Sequence, residues 1–154
     1  MAAKIVGGCM CGAVRYESTT DAVMQASCYC RDCQRSTGGA FAPVLLVPKD
    51  AFKLTKGELK HYEVAGDSGG KVSRGFCANC GSPIVSLLSG LPFTAIKVGS
   101  LDDPNQFQPT ASIFVASAPA WAAAFRGRAD FRAKSQLSWR GTLSDSVRAG
   151  RFKI

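Results

Sequence analysis

The sequence predicts a mostly β protein of antiparallel strands with only a few short helical turns. Three observations carry that expectation. Runs of strand length, rich in β-branched, aromatic and apolar residues, recur between breaks rich in Gly, Pro and Asp. No stretch holds a long 3.6-residue apolar period with caps. The chain of 154 residues, 46% of them hydrophobic, is long enough to bury one sizeable core.

The first expected strand is residues 13–17 (AVRYE), which alternates in character after Gly12. Residues 41–47 (FAPVLLV) form a buried run ended by Pro48. Residues 52–55, 60–64 and 71–76 follow as successive strands, separated by turns at 56–58 (KGE) and 66–70 (GDSGG). Residues 83–88, 93–98 (FTAIKV) and 112–116 (SIFVA) continue the pattern. Short helical turns are expected at 31–35 and after 101–104 (LDDP). Beyond Trp121 the alternation stops and arginines accumulate at 126, 128, 132, 140, 148 and 151, which reads as irregular wrapping or a loose tail.

Composition narrows the function classes. No run approaches the ~18 apolar residues that span a bilayer, so no membrane role is expected. The first residues lack the apolar core of a signal peptide, which favours the reducing cytoplasm. The formal charge of +8 suits small anionic ligands or acidic surfaces. The arginine-rich end could touch phosphate, yet it lacks the interleaved aromatics of a stacking platform, so nucleic acid is a weak candidate.

The seven cysteines are the chemical signal. They stand as Cys9 and Cys11, then Cys28, Cys30 and Cys33, then Cys77 and Cys80. An odd number in a reducing compartment argues for metal ligation over disulfides. A closed structural zinc site takes four protein ligands, and a catalytic one takes three and leaves a position open. The count of seven therefore suggests one site of each kind and two zinc ions per chain. With seven thiolates and two zinc ions the net charge falls to about +5. The Cys-x-Cys pair reads as two strand neighbours projecting to one face. The Cys77-to-Cys80 pair, followed by Gly81, reads as half of a zinc knuckle, because Gly tolerates the positive φ such a turn needs. Neither pair closes a tetrahedron alone; joined, they would pin the N-terminus to the middle of the chain. Cys28, Cys30 and Cys33 can hold one ion from a single loop. Arg31 and Arg35 beside them could hold a carboxylate.

Three segments together resemble one known family: residues 7–17 (GGCMCGAVRYE), 28–38 (CYCRDCQRSTG) and 75–83 (GFCANCGSP). They are similar to the glutathione-dependent formaldehyde-activating enzymes, which are grouped with centromere-protein-V-like proteins. The likeness continues through residues 56–59, 99–104 and 117–121, and thus covers roughly 4–125. It implies a β-tent of antiparallel sheets over residues 1–125, followed by a basic segment at 126–154. It also implies a structural zinc on Cys9, Cys11, Cys77 and Cys80 and a catalytic zinc on Cys28, Cys30 and Cys33. The implied activity is a zinc-dependent carbon–sulfur lyase or synthase that joins formaldehyde to glutathione or a related thiol. A non-catalytic zinc module binding an anionic protein or nucleic acid is the alternative. The chain departs from the family's usual pattern at Tyr29, Ser112 and residues 118–121 (APAW), none of them a predicted zinc ligand.

Other polar and aromatic residues carry ordinary expectations. His61, the one histidine, is expected at the surface. Asp102 and Asp103 before Pro104 are expected to cap a turn. Phe41, Phe93 and Trp121 are expected in the core.

Overall fold

The computed structural model describes residues 5–66 and 69–122 and the backbone of 129–131. The fold is mostly β. Eleven strands form two sheets among the described residues: β1 (Ile5–Gly8), β2 (Arg15–Ser18), β3 (Met24–Cys28), β4 (Ala42–Pro48), β5 (Phe52–Lys56), β6 (Lys60–Ala65), β7 (Lys71–Phe76), β8 (Pro83–Leu88), β9 (Phe93–Lys97), β10 (Ala111–Ile113) and β11 (Ala129–Phe131). One α-helix, α1 (Arg31–Thr37), lies between β3 and β4. The small sheet runs β1-β2-β5, and the large one β11-β10-β3-β4-β9-β8-β7-β6. No helix among the described residues is long and apolar enough to cross a membrane.

The middle of the large sheet is buried on both faces, as the near-continuous apolar reading of β4 and β9 requires. One face packs against the small sheet: Leu45, Val47 and Ile96 meet Ile5, Val14 and Tyr16. The Tyr16 ring lies tilted against Phe52, and its hydroxyl bonds Ser100 Oγ at 2.8 Å. The opposite face carries Ala26, Cys28, Ala42, Val44 and Ala95 in a second apolar cluster, which includes Cys33 of α1. Each face therefore buries one group of cysteines.

Several local expectations need correction. Two strands, β1 and β3, come from segments not among the expected strands. β3 (MQASC) has no β-branched residue, and the sheet accepts it because Ala26 and Ser27 are small enough to be fully buried between neighbours. The strand expected over 112–116 stops at Ile113, because Phe114 takes a left-handed φ of 56° and turns the chain into a 3-10 turn at Val115–Ser117. Pairing is antiparallel except that β10 runs parallel to both β3 and β11. Trp121 is 78% exposed rather than core, while Phe93 is buried. His61 is exposed, bonding Ser73 Oγ through Nδ1 at 3.0 Å. The cap falls to Asp103, which accepts from the Asn105 amide at 2.9 Å, whereas Asp102 pairs with Arg15 (Nη1 to Oδ1 2.8 Å). The arginines from 126 onward lie outside the described side chains.

Candidate metal centres

Cys9 and Cys11 reach the first centre from a turn, not from a strand as their spacing suggested. β1 ends at Gly8, and the Gly12 amide donates back to the Cys9 carbonyl at 3.1 Å. The second half comes from the turn between β7 and β8. There the Gly81 amide donates to the Cys77 carbonyl at 2.9 Å, and the Cys77 amide to the Ser82 carbonyl at 3.0 Å. Gly12 and Gly81 both hold a φ of 74°, so the two turns are matching knuckles closed by a residue without a Cβ. Their sulfurs converge: all four Sγ atoms lie within 4.8 Å of one another.

The geometry fits a tetrahedral thiolate site. Ligands at ~2.3 Å around a tetrahedral ion stand about 3.8 Å apart. Cys9 Sγ lies 3.5 Å from Cys11 Sγ, and Cys11 Sγ lies 3.8 Å from Cys77 Sγ. Both separations are far longer than the ~2.05 Å of a disulfide. Polar donors point at the sulfurs, as thiolates require: the Val14 amide at Cys9 (3.2 Å) and Asn79 Nδ2 at Cys11 (3.2 Å). Cys80 Sγ lies 3.2 Å from Ser82 Oγ, and the Met10 amide holds that same hydroxyl at 3.1 Å, tying one knuckle to the other. The Ser82 hydroxyl and amide bring the Cys80 thiol down to about 5. The Cys80 amide pulls Cys77 down, but burial and the neighbouring sulfurs push it up to about 11. The group thus shares its protons unequally, which is how closely packed thiols behave before a cation replaces those protons.

The second centre is local. Cys28 closes β3, Cys30 is the N-cap of α1, and Cys33 sits in its first turn. The Cys33 amide donates to Cys30 Sγ at 3.3 Å, so the helix start holds the sulfur that caps it. The three Sγ atoms lie within 4.8 Å of one another, and no fourth His, Cys, Asp or Glu joins them among the described residues. Cys28 and Cys33 are buried and Cys30 is half-buried. The Cys28 and Cys30 thiols bring Cys33 down to about 2 against the effect of burial, with Lys97 and Arg74 adding their charge. The Cys30 and Cys33 sulfurs, with burial, push Cys28 well up. Three soft donors converging on one point, with one of them stabilised as an anion, fit a thiophilic divalent ion.

Arg31 and Arg35 stand exposed on the outer side of α1. Arg31 donates to Gln34 Oε1, and Arg35 lies 4.0 Å from Asp32 with its side chain 72% exposed. Gln34 is engaged by the protein itself: its Nε2 donates to the Tyr29 carbonyl at 2.6 Å and to the Ser117 carbonyl at 2.9 Å. It thereby ties α1 to the turn that follows β10. Tyr29 is fully buried with its ring 5.1 Å from Phe41.

The cations whose charge acts on Cys33 are Lys97 and Arg74, and sequence reading missed both. Lys97 is only 4% exposed. A signal for it existed: a lone lysine inside the mostly apolar run of residues 93–98 (FTAIKV). A charge within a strand buried on both faces needs a local reason.

A crystal structure of a Rhodobacter sphaeroides protein aligns with 65% of this chain and 88% of its own length, at 20% identity and a TM-score of 0.49. A family model described as glutathione-dependent formaldehyde-activating enzyme matches residues 4–117, a span holding all seven cysteines and both knuckles. That match covers well over half of the sequence, and the chain belongs to the glutathione-dependent formaldehyde-activating enzyme (GFA) family.

Proposed function

We propose that the protein is a zinc enzyme that forms or breaks a carbon–sulfur bond on glutathione or a related small thiol, with formaldehyde as the carbonyl partner. The observation that carries this reading is the three-cysteine group, which no fourth His, Cys, Asp or Glu joins among the described residues, set on the same face as the buried Lys97 and the partly buried Arg74. Membership of the family supports a formaldehyde-activating or glutathione-related activity. Cys9, Cys11, Cys77 and Cys80 would hold a structural zinc, and Cys28, Cys30 and Cys33 a second one. Zinc bound by the three sulfurs would hold a thiol as its thiolate and act as a Lewis acid.

The chain's own residues supply position and exclusion of water. Cys28 and Cys33 are buried between α1 and the sheet, and Cys30 is the least covered of the three. The Cys33 amide fixes Cys30, and Gln34 anchors the helix that presents them. In the forward direction the thiol sulfur bonds to the carbonyl carbon and the C=O π bond breaks. The thiol proton ends on the new hydroxyl, giving an S-hydroxymethyl thioether (a hemithioacetal) with no redox partner required.

Residues 1–125 form the zinc domain in this reading, residues 126–154 are a basic segment of the same chain, and the setting is the reducing cytoplasm. Exchange NMR of formaldehyde with glutathione tests the reaction. Addition of zinc-loaded protein should speed interconversion with the adduct above the spontaneous rate. An unchanged rate, with both zinc equivalents bound, would remove this substrate pair.

A further inference from the structure

Strand register places a set of polar groups on the face of the large sheet that α1 covers. Residues directly opposite in an antiparallel pair share a face. Ala26, Val44 and Lys97 are successive partners across β3, β4 and β9. Cys28 is two residues beyond Ala26 and projects the same way. Arg74 and Ser86 are partners across β7 and β8, and Ser86 faces Ala95, two residues before Lys97. Lys97, Arg74, Ser86 and Cys28 therefore point toward one side of the sheet.

The two cations on this face are held differently. Arg74 is anchored: Nη1 lies 3.4 Å from Ser86 Oγ and Nη2 lies 3.6 Å from Asp32 Oδ2 of α1. Lys97 is not. Its side chain is buried, and Nζ has no hydrogen-bond partner among the described residues. Burial first, and the Arg74 charge with it, hold its ammonium below the ordinary lysine range, against the opposing pull of Cys33, Cys28 and Cys30. A buried ammonium without partners is strongly disfavoured unless an anion compensates it. Three thiolates around a divalent ion leave one negative charge. A neutral fourth ligand leaves that charge unchanged, whereas an anionic one adds a second beside Lys97.

We propose that Lys97 is a specificity-determining residue of the three-cysteine centre, selecting a thiolate over a neutral nitrogen or oxygen donor for the remaining position. The proposal rests on the reading that this centre receives a thiol. An incoming thiol gives its proton to solvent and enters as the anion. Lys97 offsets the added charge, and Arg74, already shared with Asp32, contributes less. A thiolate is the anion of choice because the existing ligands are soft sulfurs.

Calorimetric titration of the zinc-loaded full chain with three probes tests this. 2-Mercaptoethanol offers a thiol without a carboxylate, S-methylglutathione offers carboxylates without a thiol, and imidazole is a neutral donor. Lys97→Met keeps the length and removes the charge. It should weaken 2-mercaptoethanol by about tenfold or more while imidazole stays within about twofold. Lys97→Arg should restore most of the thiol affinity. Equal 2-mercaptoethanol affinity in wild type and Lys97→Met, both with two zinc ions bound, overturns the proposal and leaves the thiol reading standing. Loss confined to S-methylglutathione overturns it by making Lys97 a carboxylate contact. Absence of thiol binding to the wild type overturns the thiol reading and the proposal together. Should Lys97→Met fail to fold, a salt series on the wild type decides. A buried charge predicts little change in thiol affinity between about 0.05 and 0.5 M sodium chloride, and a tenfold fall would assign recognition to exposed cations such as Arg31 and Arg35.

Discussion

The two cysteine groups differ in how the chain assembles them. The four-cysteine centre joins two turns, with Cys11 and Cys77 separated by 66 positions, and its sulfurs receive donors from an amide, an asparagine and a serine. The three-cysteine centre comes from six consecutive residues, is largely buried, and feels two cations from the sheet. A metal in the first would close a long loop and so act on folding. A metal in the second closes almost no loop, and its surroundings act on the charge of whatever joins it. In the proposed reading, position in the chain is what separates a staple from a reaction site even where the ligand atoms are the same.

The sharpest way to break this comparison is to remove one cysteine from each group. Cys80→Ser should lower the thermal midpoint of the zinc-loaded protein by well over about 10 °C, because structural zinc binding is folding free energy. Cys30→Ser should lose one zinc equivalent and the thiol exchange activity, with a midpoint shift of about 5 °C or less. Equal collapse of both variants would show that both groups are staples.

A smaller effect separates the groups by their donors. Asn79→Ala removes a hydrogen bond to Cys11 Sγ and should weaken zinc at the four-cysteine centre by about tenfold in chelator competition. The other equivalent should be unaffected.

The smallest effect concerns the ion pair near the first knuckle. The Arg15 guanidinium holds the Asp102 carboxyl below its ordinary value. A depressed carboxyl stabilises the fold above its unfolded pKa and loses that contribution as pH falls through the folded value. Both side chains are about 40% exposed, so Asp102→Asn should cost only about 0.5 kcal/mol at neutral pH. The difference from wild type should vanish in urea melts at a pH below both carboxyl values.

Much of the fold was legible because strand signals are local. Lys71–Phe76 and Pro83–Leu88 have the bounds their sequence suggested, and the central strands are within a residue or two. β3 was missed because its stability comes from neighbours that accept small residues, and Trp121 was misplaced because aromaticity does not say which side of a turn faces solvent. The candidate site divides the same way. The grouping of Cys28, Cys30 and Cys33 could be read directly, since residues so close in sequence can place three sulfurs together whatever surrounds them.

The sequence alone thus determined the mostly β class, the seven thiols and their three clusters, because spacing and side-chain type act over a few residues. Spacing left open which pairs of cysteines meet, and resemblance alone implied the answer. Only the tertiary structure brought Cys9 and Cys11 to Cys77 and Cys80, and only sheet register turned Lys97 and Arg74 toward Cys33. A shift of one residue would send Lys97 to the other face, so that juxtaposition belongs to long-range pairing and to no short stretch of the chain.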